Sequence, residues 1–551
     1  MMKASFFQIL KSKLTSGRKK RMKAHMSQRL KTKLDHMGEV QLPETLAEAL
    51  KLVENALKTS NDMVVREFYL GKDSPKRAAV LFIDGLSDTQ LTDDFILKAG
   101  MFETTLHDNM QAAEDELRRL GIPINDLKVG KTLKDVVNTV LTGDAAVLID
   151  GVPRVLQLNA KGWIQRGIEE ASTESVVRGP RDSFTETIRT NTAMIRRRLK
   201  DPNLCVESMK VGRRSLTDIS IMYLEDIADP KLVEEVKRRI DGIDIDAVLE
   251  SGYIEQFIED HHISPFPIIQ NTERPDKAVA NILEGRVVVV CDGTPFVLIA
   301  PSVFAQFYQS PEDYYERFLI GTLIRFIRII SMGMALLLPS LYIAFSSFHP
   351  EMIPSRLVIA MAAGRSTVPF PSIIEAFLME VTMEILREAS VRLPGPIGPT
   401  IGIVGALVVG QAAVQAGIVS PIMVIIVALT TIGSFASPSY SAAIALRMLR
   451  FPMMIAASLF GLYGIMLLLI LIIVHLCSLK SFGVPYLSPM TPMDINANKD
   501  TLIRAPLQWM FRRPAPFNPQ DPIRVGDSSV QIDKEGETSN ATKGSDGQET
   551  K

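Results

Sequence analysis

What most constrains this chain is where its charge is missing. From Met1 to about Glu316 acidic and basic residues are dense, from Ile329 to Leu476 they nearly vanish apart from a few placed clusters, and they return in a polar tail ending at Lys551. The totals hide this, because 46% hydrophobic and 22% charged residues with a formal net charge of -1 would suit a soluble protein of 551 residues. A water-solvated head, a lipid-solvated middle and a hydrophilic tail are three different solvation problems. The expected fold is an α/β cytoplasmic head, built of two subdomains, followed by an all-α multi-span membrane domain and a polar tail. The boundaries read as a basic arm over 1–40, the head over 41–316, the transmembrane helical domain over 317–477, a Pro-rich polar segment over 478–526 and a disordered tail over 527–551.

The arm carries Lys11, Lys13, Arg18, Lys19, Lys20, Arg21 and Lys23 among other cations, with no acidic residue before Asp35. It reads as a solvated end or as a contact for anionic lipid headgroups, not as a secretory signal, since no apolar run and cleavage site follow the charges. Nucleic acid is not expected, because no reading motif accompanies the basic residues. Cys205, Cys291 and Cys477 are too far apart in sequence for a CxxC pair or a disulfide framework. No metal site and no cofactor are expected. Gly130-Lys131-Thr132 ends like a phosphate loop, but the glycine five residues earlier is replaced by Asn125 and no clear strand leads into it, so a turn before a helix is expected.

In the head, Thr45 to Lys58 has helical spacing of Leu46, Leu50, Val53 and Leu57, and Ala78 to Ile83 reads as a strand closed by Asp84-Gly85. Two segments resemble one another: Val147 to Leu156 around Asp150-Gly151-Val152-Pro153, and Val289 to Leu298 around Asp292-Gly293-Thr294-Pro295. Both predict hairpins, Asp-Gly supplying the turn. They suggest two related subdomains, joined by a helical, charged stretch from Ser172 to His262.

Candidate spans are Ile329 to Phe345, Ile397 to Ala416, Val419 to Phe435 and Met453 to Leu476, with a break near Ser437-Pro438. Arg325 and Arg328 flank the first, which by the positive-inside rule places the head in the cytoplasm. Small residues such as Gly402, Gly405, Gly410 and Ala413 suit close helix packing, within one chain or between copies. The segment from Val368 to Pro394 interrupts the apolar pattern with Glu375, Glu380, Glu384 and Glu388. Steps of four residues place Glu380, Glu384 and Glu388 along one helix stripe, with Glu375 off it. Carboxylates at membrane depth point to an ion path, and rings of them in an oligomer favour cations. The alternative is an interfacial helix with Glu384 paired to Arg387 and Glu388 to Arg392. Glu380 has no cation at i+3 or i+4, which makes it the stronger ion-path candidate.

A family resemblance rests on many motifs in one order. Arg178-Gly179-Pro180-Arg181, Asn191-Thr192, Ile195-Arg196-Arg197-Arg198-Leu199, Thr272-Glu273-Arg274-Pro275-Asp276, Asp292-Gly293-Thr294-Pro295, Ser310-Pro311-Glu312-Asp313-Tyr314-Tyr315 and Arg392-Leu393-Pro394 resemble the GerA family of spore germination proteins over roughly residues 60 to 495. The resemblance implies the A subunit of a nutrient germinant receptor in the inner membrane of the spore, multi-pass, working with a permease-like B subunit and a lipoprotein C subunit. It also implies assembly into an oligomeric, ligand-gated cation channel; a non-conducting scaffold or signalling subunit is the alternative. An enzyme is not expected, since no nucleophile–base pair stands out. Arg178, Arg196, Arg197, Arg198, Glu273 and Arg274 read either as solvated helix face and helix cap or as subunit contacts.

Overall fold

The computed structural model describes residues 28–57, 60–70, 76–99, 128–162, 171, 173–392, 405, 408–493 and 497–525. Residues 1–27 of the basic arm, half of the expected span from Ile397 to Ala416 and the tail from Gly526 on lie outside the described residues. The head opens with two helices, α1 (Gln28–Glu39) and α2 (Leu46–Ala56), followed by a five-stranded sheet with α3 (Thr89–Ala99) and α4 (Leu133–Leu141) in its connections. Its strands β1 (Met63–Leu70), β2 (Lys76–Ile83), β3 (Lys128–Gly130), β4 (Ala145–Ile149) and β5 (Val152–Leu158) are arranged β1-β2-β4-β5-β3 and pair antiparallel throughout. Then come α5 (Ile188–Arg198), β6 (Leu204–Val211), β7 (Thr217–Leu224), α6 (Pro230–Asp241), α7 (Ser251–Ile258), β8 (Gln270–Thr272), α8 (Pro275–Ile282), β9 (Val287–Cys291) and β10 (Val297–Ala300). These strands form a second antiparallel sheet in the order β6-β7-β9-β10-β8, the first order repeated. In both, a helix precedes the first strand and another joins the third strand to the fourth. The fourth strand is buried along its whole length in each case, which is why β4 and β9 are unbroken apolar runs.

The repeated Asp-Gly hairpins have a shared physical purpose. Gly151 and Gly293 take positive φ of 80° and 84°, which closes each turn. The aspartate beside each glycine then caps the helix that precedes the first strand of its own sheet. Asp150 Oδ1 accepts from Leu46 N at 2.9 Å, and Asp292 Oδ1 accepts from Ile188 N at 3.0 Å. Each glycine N–H also donates to a carbonyl just ahead of that helix, Gly151 to Glu44 at 2.8 Å and Gly293 to Glu186 at 2.7 Å. The N-cap residues Thr45 and Thr187 make no side-chain cap themselves, so the distant aspartates satisfy amides that would otherwise be orphaned.

The stretch from Ser172 to His262 is not a linker. It contains β6, partly exposed between Glu207 and Lys210, and β7, buried from Ile219 to Leu224, two strands of the second sheet. A short strand, β3, does lead in and ends at Gly130, and Thr132 and Asp135 form a capping box at the start of α4. The two sheets are joined through a buried ion pair: Arg196 on α5 reaches Asp62 just before β1, through Nε at 2.6 Å and Nη2 at 2.8 Å.

After the head, α9 (Glu312–Tyr315) leads into α10 (Phe318–Ser347), followed by α11 (Ser355–Arg365), α12 (Ser372–Arg392), α13 (Pro421–Phe435) and α14 (Tyr440–Ser478). Only α10 and α14 among the described residues are long and apolar enough to cross a membrane. The segment expected to span from Val419 to Phe435 forms a helix of 15 residues, shorter than the ~20 that a crossing needs. The break near Ser437-Pro438 is present between α13 and α14. Gly461, with φ 59° and ψ -137°, kinks α14 where a Cβ would come within 3.0 Å of Phe348. Arg325 and Arg328, the cations expected on the head side of the first span, are both buried, and Asp313 accepts from Arg325 Nε at 3.1 Å and Arg328 Nη1 at 2.7 Å.

The tail folds back. His475, near the end of α14, lies 3.0 Å from Ser264 Oγ, Ser481 Oγ donates to Ile268 O at 2.7 Å, and Arg513 Nε donates to Leu283 O at 2.7 Å. Phe517 is buried under the Arg286 guanidinium, 3.9 Å from its ring centroid. Both ends of the helical region therefore attach to the head. Because Arg196 and Asp62 are each 1% exposed, Arg196→Met should destabilise the head by about 3–5 kcal/mol, while Arg196→Met with Asp62→Leu should recover most of the loss. Thermal unfolding of the purified full-length protein checks both.

Candidate functional site

The four glutamates of α12 follow a gradient along the helix axis. Glu375 and Glu380 are buried, Glu384 is partly exposed and Glu388 is 67% exposed. The stripe expected from spacing thus runs from the bundle interior to its surface, and Glu375, off the stripe, is as buried as Glu380.

Each carboxylate has an arginine. Glu375 Oε1 accepts from Arg365 Nε at 3.2 Å, and its Oε2 accepts from Ser420 N and Oγ at 3.2 and 3.0 Å. Ser420 also caps α13 and lies 3.1 Å from Tyr342 Oη, so this carboxylate fastens α11, α12 and α13 to α10. Glu384 accepts from Arg387 Nη1 at 2.9 Å and Arg447 Nη1 at 3.4 Å, and Glu388 accepts from Arg392 Nε at 2.9 Å. The two short-range pairs expected on the helix, Glu384 with Arg387 and Glu388 with Arg392, are both formed.

Glu380 lacks a cation on its own helix but receives Arg450 from α14 in a close ion pair buried on both sides. The origin of that arrangement lies in α10. Pro339 has no N–H to donate, which leaves the carbonyl four residues earlier, Ala335 O, without its helical partner. Arg450 Nε donates to that carbonyl at 2.7 Å while Nη1 binds Glu380, so one guanidinium closes a gap in α10 and neutralises a carboxylate on α12. From sequence Arg447 and Arg450 read only as cations preceding the span from Met453 to Leu476, and Arg365 is not singled out. The signal was available: cations in an apolar stretch without local acids, matching an acid without a local cation.

The head residues divide. Arg178 is exposed, with Glu316 at 3.6 Å. Arg198 pairs with Asp182 at the surface edge, and Arg197 is also engaged. Arg196, Glu273 and Arg274 are buried inside the chain, which corrects the reading of the first as solvated helix face. Arg274 donates to Asp276 at 2.8 Å and to Pro180 O at 2.9 Å, tying the Arg178-Gly179-Pro180-Arg181 motif to α8. Gly179 is required there, since a Cβ would lie 2.7 Å from the Tyr315 ring.

Where head and helices face each other, a cavity of about 450 Å³ is bounded by Glu186, Glu250 and Glu255, the Gly293-Thr294-Pro295 loop, and Pro438 to Ser441 at the break before α14. Glu250 caps α7 and accepts from Thr294 Oγ1 at 3.1 Å. Burial, and then the carboxylates of Glu259 and Glu250, push Glu255 up to about 7.

Comparison with known proteins places these features in a lineage. The model of the Bacillus/Clostridium GerA spore germination protein family matches residues 51–516. The chain is similar to spore germination protein KA of Bacillus subtilis (strain 168), 45% identical over 487 residues that cover 88% of this chain and 89% of that protein. It is similar to spore germination protein GerLA of Bacillus cereus, 42% identical over 486 residues, 88% of this chain and 98% of that one. The crystal structure of the N-terminal domain of the A subunit of the Bacillus megaterium spore germinant receptor GerK3 is 38% identical, covers 48% of this chain and 97% of that domain, and has a TM-score of 0.39.

Glu255 gives a pH test of the seam. Its folded form keeps a proton that the unfolded chain, near 4.5, has already released, so its contribution is present at low pH and is lost as pH rises through about 7. Glu255→Gln should therefore raise the thermal midpoint at about pH 8 and leave it unchanged near pH 4.5.

Proposed function

The chain belongs to the GerA family, and from that premise we propose that it is the A subunit of a nutrient germinant receptor that triggers spore germination. Its relatives' names supply the process; the receptor role, with a permease-like B subunit and a lipoprotein C subunit as partners in the inner spore membrane, is the reading that best accounts for a folded head carrying an apolar helical bundle. The bundle is proposed to be multi-pass, with the head cytoplasmic. Attachment of both ends of the helical region to the head supports an even number of crossings, with the segment following α14 on the head's side. Enzymatic chemistry is not proposed.

Within that role we assign an oligomeric, ligand-gated cation path, and the observation that carries it is the gradient of exposure along α12. Glu375 and Glu380 are consumed by arginines in the interior of one chain and act as structural fastenings. Glu384 and Glu388, toward the exposed end, are the carboxylates available to a path shared between copies. The scaffold reading draws on the same geometry, because every glutamate already has an arginine.

The two readings separate in spores whose germination depends on this receptor. Glu380→Gln is expected to lower the amount of assembled protein, because it strips the buried Arg450 of its counter-charge at a cost of about 3–5 kcal/mol. Glu384→Gln combined with Glu388→Gln should leave protein level normal and slow nutrient-triggered cation release or alter its ion selectivity. Unchanged release from the double variant at normal protein level would leave the non-conducting scaffold as the better account.

A further inference from the structure

Part of the tail lies along the foot of α10. Arg325 Nη1 donates to Asp500 O at 2.7 Å and to Thr501 O at 3.2 Å, and Thr322 Oγ1 lies 3.3 Å from Arg504 O. Residues 500–504 therefore run beside a single turn of α10, in the opposite direction to it, with Thr501 and Arg504 buried. The two residues between them face outward: Leu502 is 53% and Ile503 65% exposed. At this level α10 carries outward apolar residues of its own, since Leu319, Leu323, Phe326 and Ile330 are all exposed and follow one helical stripe. Two pieces of chain far apart in sequence thus present apolar side chains together at the foot of the bundle. Their level says what covers them. α10 ends at Ser347, and the bend of α14 at Gly461 packs on Phe348, so one helix ends and the other bends at the same height, far from the head. A hydrocarbon layer about 30 Å thick takes up about 20 residues of helix counted back from there, which reaches Arg328. Thr322 and Arg325 then fall roughly 5 to 9 Å further on, among the headgroups. Segments that lie on a membrane without crossing it bury their apolar side chains at this depth.

We propose that Leu502 and Ile503 are a lipid anchor of the tail, inserted into the headgroup layer beside the foot of α10 and continuous with the lipid-facing stripe of that helix. Arg317, exposed where α10 begins, adds a cation at the depth of anionic headgroups. The anchor rests on the membrane reading of the bundle given above and is independent of the channel reading. Its consequence is mechanical. The tail is held to the lipid at Leu502 and Ile503 and to the head where Arg513 Nε donates to Leu283 O at 2.7 Å, so it braces the head against the membrane plane.

The test is fluorescence quenching in the full-length protein. Trp163 and Trp509 are its two tryptophans, so Trp163→Phe with Trp509→Phe lets a single reporter be placed at will. Ile503→Trp reports on the anchor, and Ile470→Trp, at an exposed position of α14, reports on the span. Each protein is reconstituted in vesicles of phosphatidylcholine and phosphatidylglycerol, with the phosphatidylcholine brominated near the glycerol end or near the methyl end of its acyl chain. Iodide on both sides of the vesicle reports exposure to water. The expected result for Ile503→Trp is emission cut at least about twofold by bromine near the glycerol end, a weaker effect of bromine near the methyl end, and little quenching by iodide. Ile470→Trp should be quenched by bromine near the methyl end. Leu502→Trp, the neighbouring exposed position, is held to the criterion set for Ile503→Trp, so that a single variant that fails to fold does not decide the matter. If Ile470→Trp is quenched by lipid while the tail reporters are not, the anchor is overturned and the membrane reading stands; iodide quenching would then show the tail facing water, and its absence a covering protein surface. If none of the reporters is quenched by either lipid, the membrane reading fails and the anchor falls with it.

Discussion

Asp313 is the interaction on which the rest of the architecture depends. A single buried carboxylate accepts from Arg325 and Arg328, one turn apart on the first long helix, and Arg325 Nη1 continues to Asp500 Oδ1 at 3.1 Å. Three charges at the base of an apolar helix are tolerable only when matched, because an unpaired buried charge costs several kcal/mol. The matching partners lie on three separate pieces of chain: the turn leaving the head, the helix and the tail. Their pairing fixes where α10 starts, which way it leaves and where the tail must lie. Gly321 permits the approach, since a Cβ there would sit 2.8 Å from Asp313 O.

The same rule is repeated upward and downward from that joint. In the head Arg196 and Asp62 hold the two sheets together, and in the bundle Arg450 and Glu380 hold α14 to α12 and, through Ala335 O, to α10. Arginine suits these positions because its planar fork serves two acceptors at once, as Arg196, Arg325 and Arg450 all do. The apolar packing around them supplies the larger share of the burial, but it is not directional. The ion pairs set register between elements, which greasy surfaces alone leave loosely specified.

Much of this fold was legible in the sequence where the cause is local. The α2 helix followed from its apolar spacing, the two hairpins from Asp-Gly, the turn before a helix at Gly130-Lys131-Thr132 from the incomplete phosphate-loop pattern, and the pairs Glu384–Arg387 and Glu388–Arg392 from helical spacing. What escaped was tertiary. Nothing near Asp150 or Asp292 in sequence says that each caps a helix about a hundred residues earlier, and Arg196 looked like one cation of three in a row until Asp62, 134 residues away, took it into the core. β6 and β7 were hidden in a stretch that reads as charged helix, because the polar Glu207, Ser208 and Lys210 of β6 and the charged helix α6 lie in the same run of sequence. Arg325 and Arg328 read from sequence only as head-side cations, because their acids, Asp313 and Asp500, lie outside helical spacing, the second 175 residues from Arg325.

The head meets the helical region in two unlike ways. At the base of α10 the contact is ionic, buried and close-fitting; at the break between α13 and α14 it is a cavity lined by carboxylates and a glycine-containing loop. The loop belongs to the hairpin whose Asp292 caps α5, and α5 carries Arg196, whose partner Asp62 precedes the first strand of the first sheet. A contiguous run of named contacts thus connects the first sheet to the helix break while bypassing the ionic base. A displacement of α5 would be carried to the loop by the rigid helix and its capping bond, whereas the base, held by Asp313, resists movement. Contiguity alone is geometry; the coupling free energy between Arg196 and Asp292, measured by a double-mutant cycle, is the quantity that turns it into transmission. A value near zero would make the two contacts independent fastenings, and a value above about 0.5 kcal/mol would identify α5 as the element through which the two sheets and the helix break respond together.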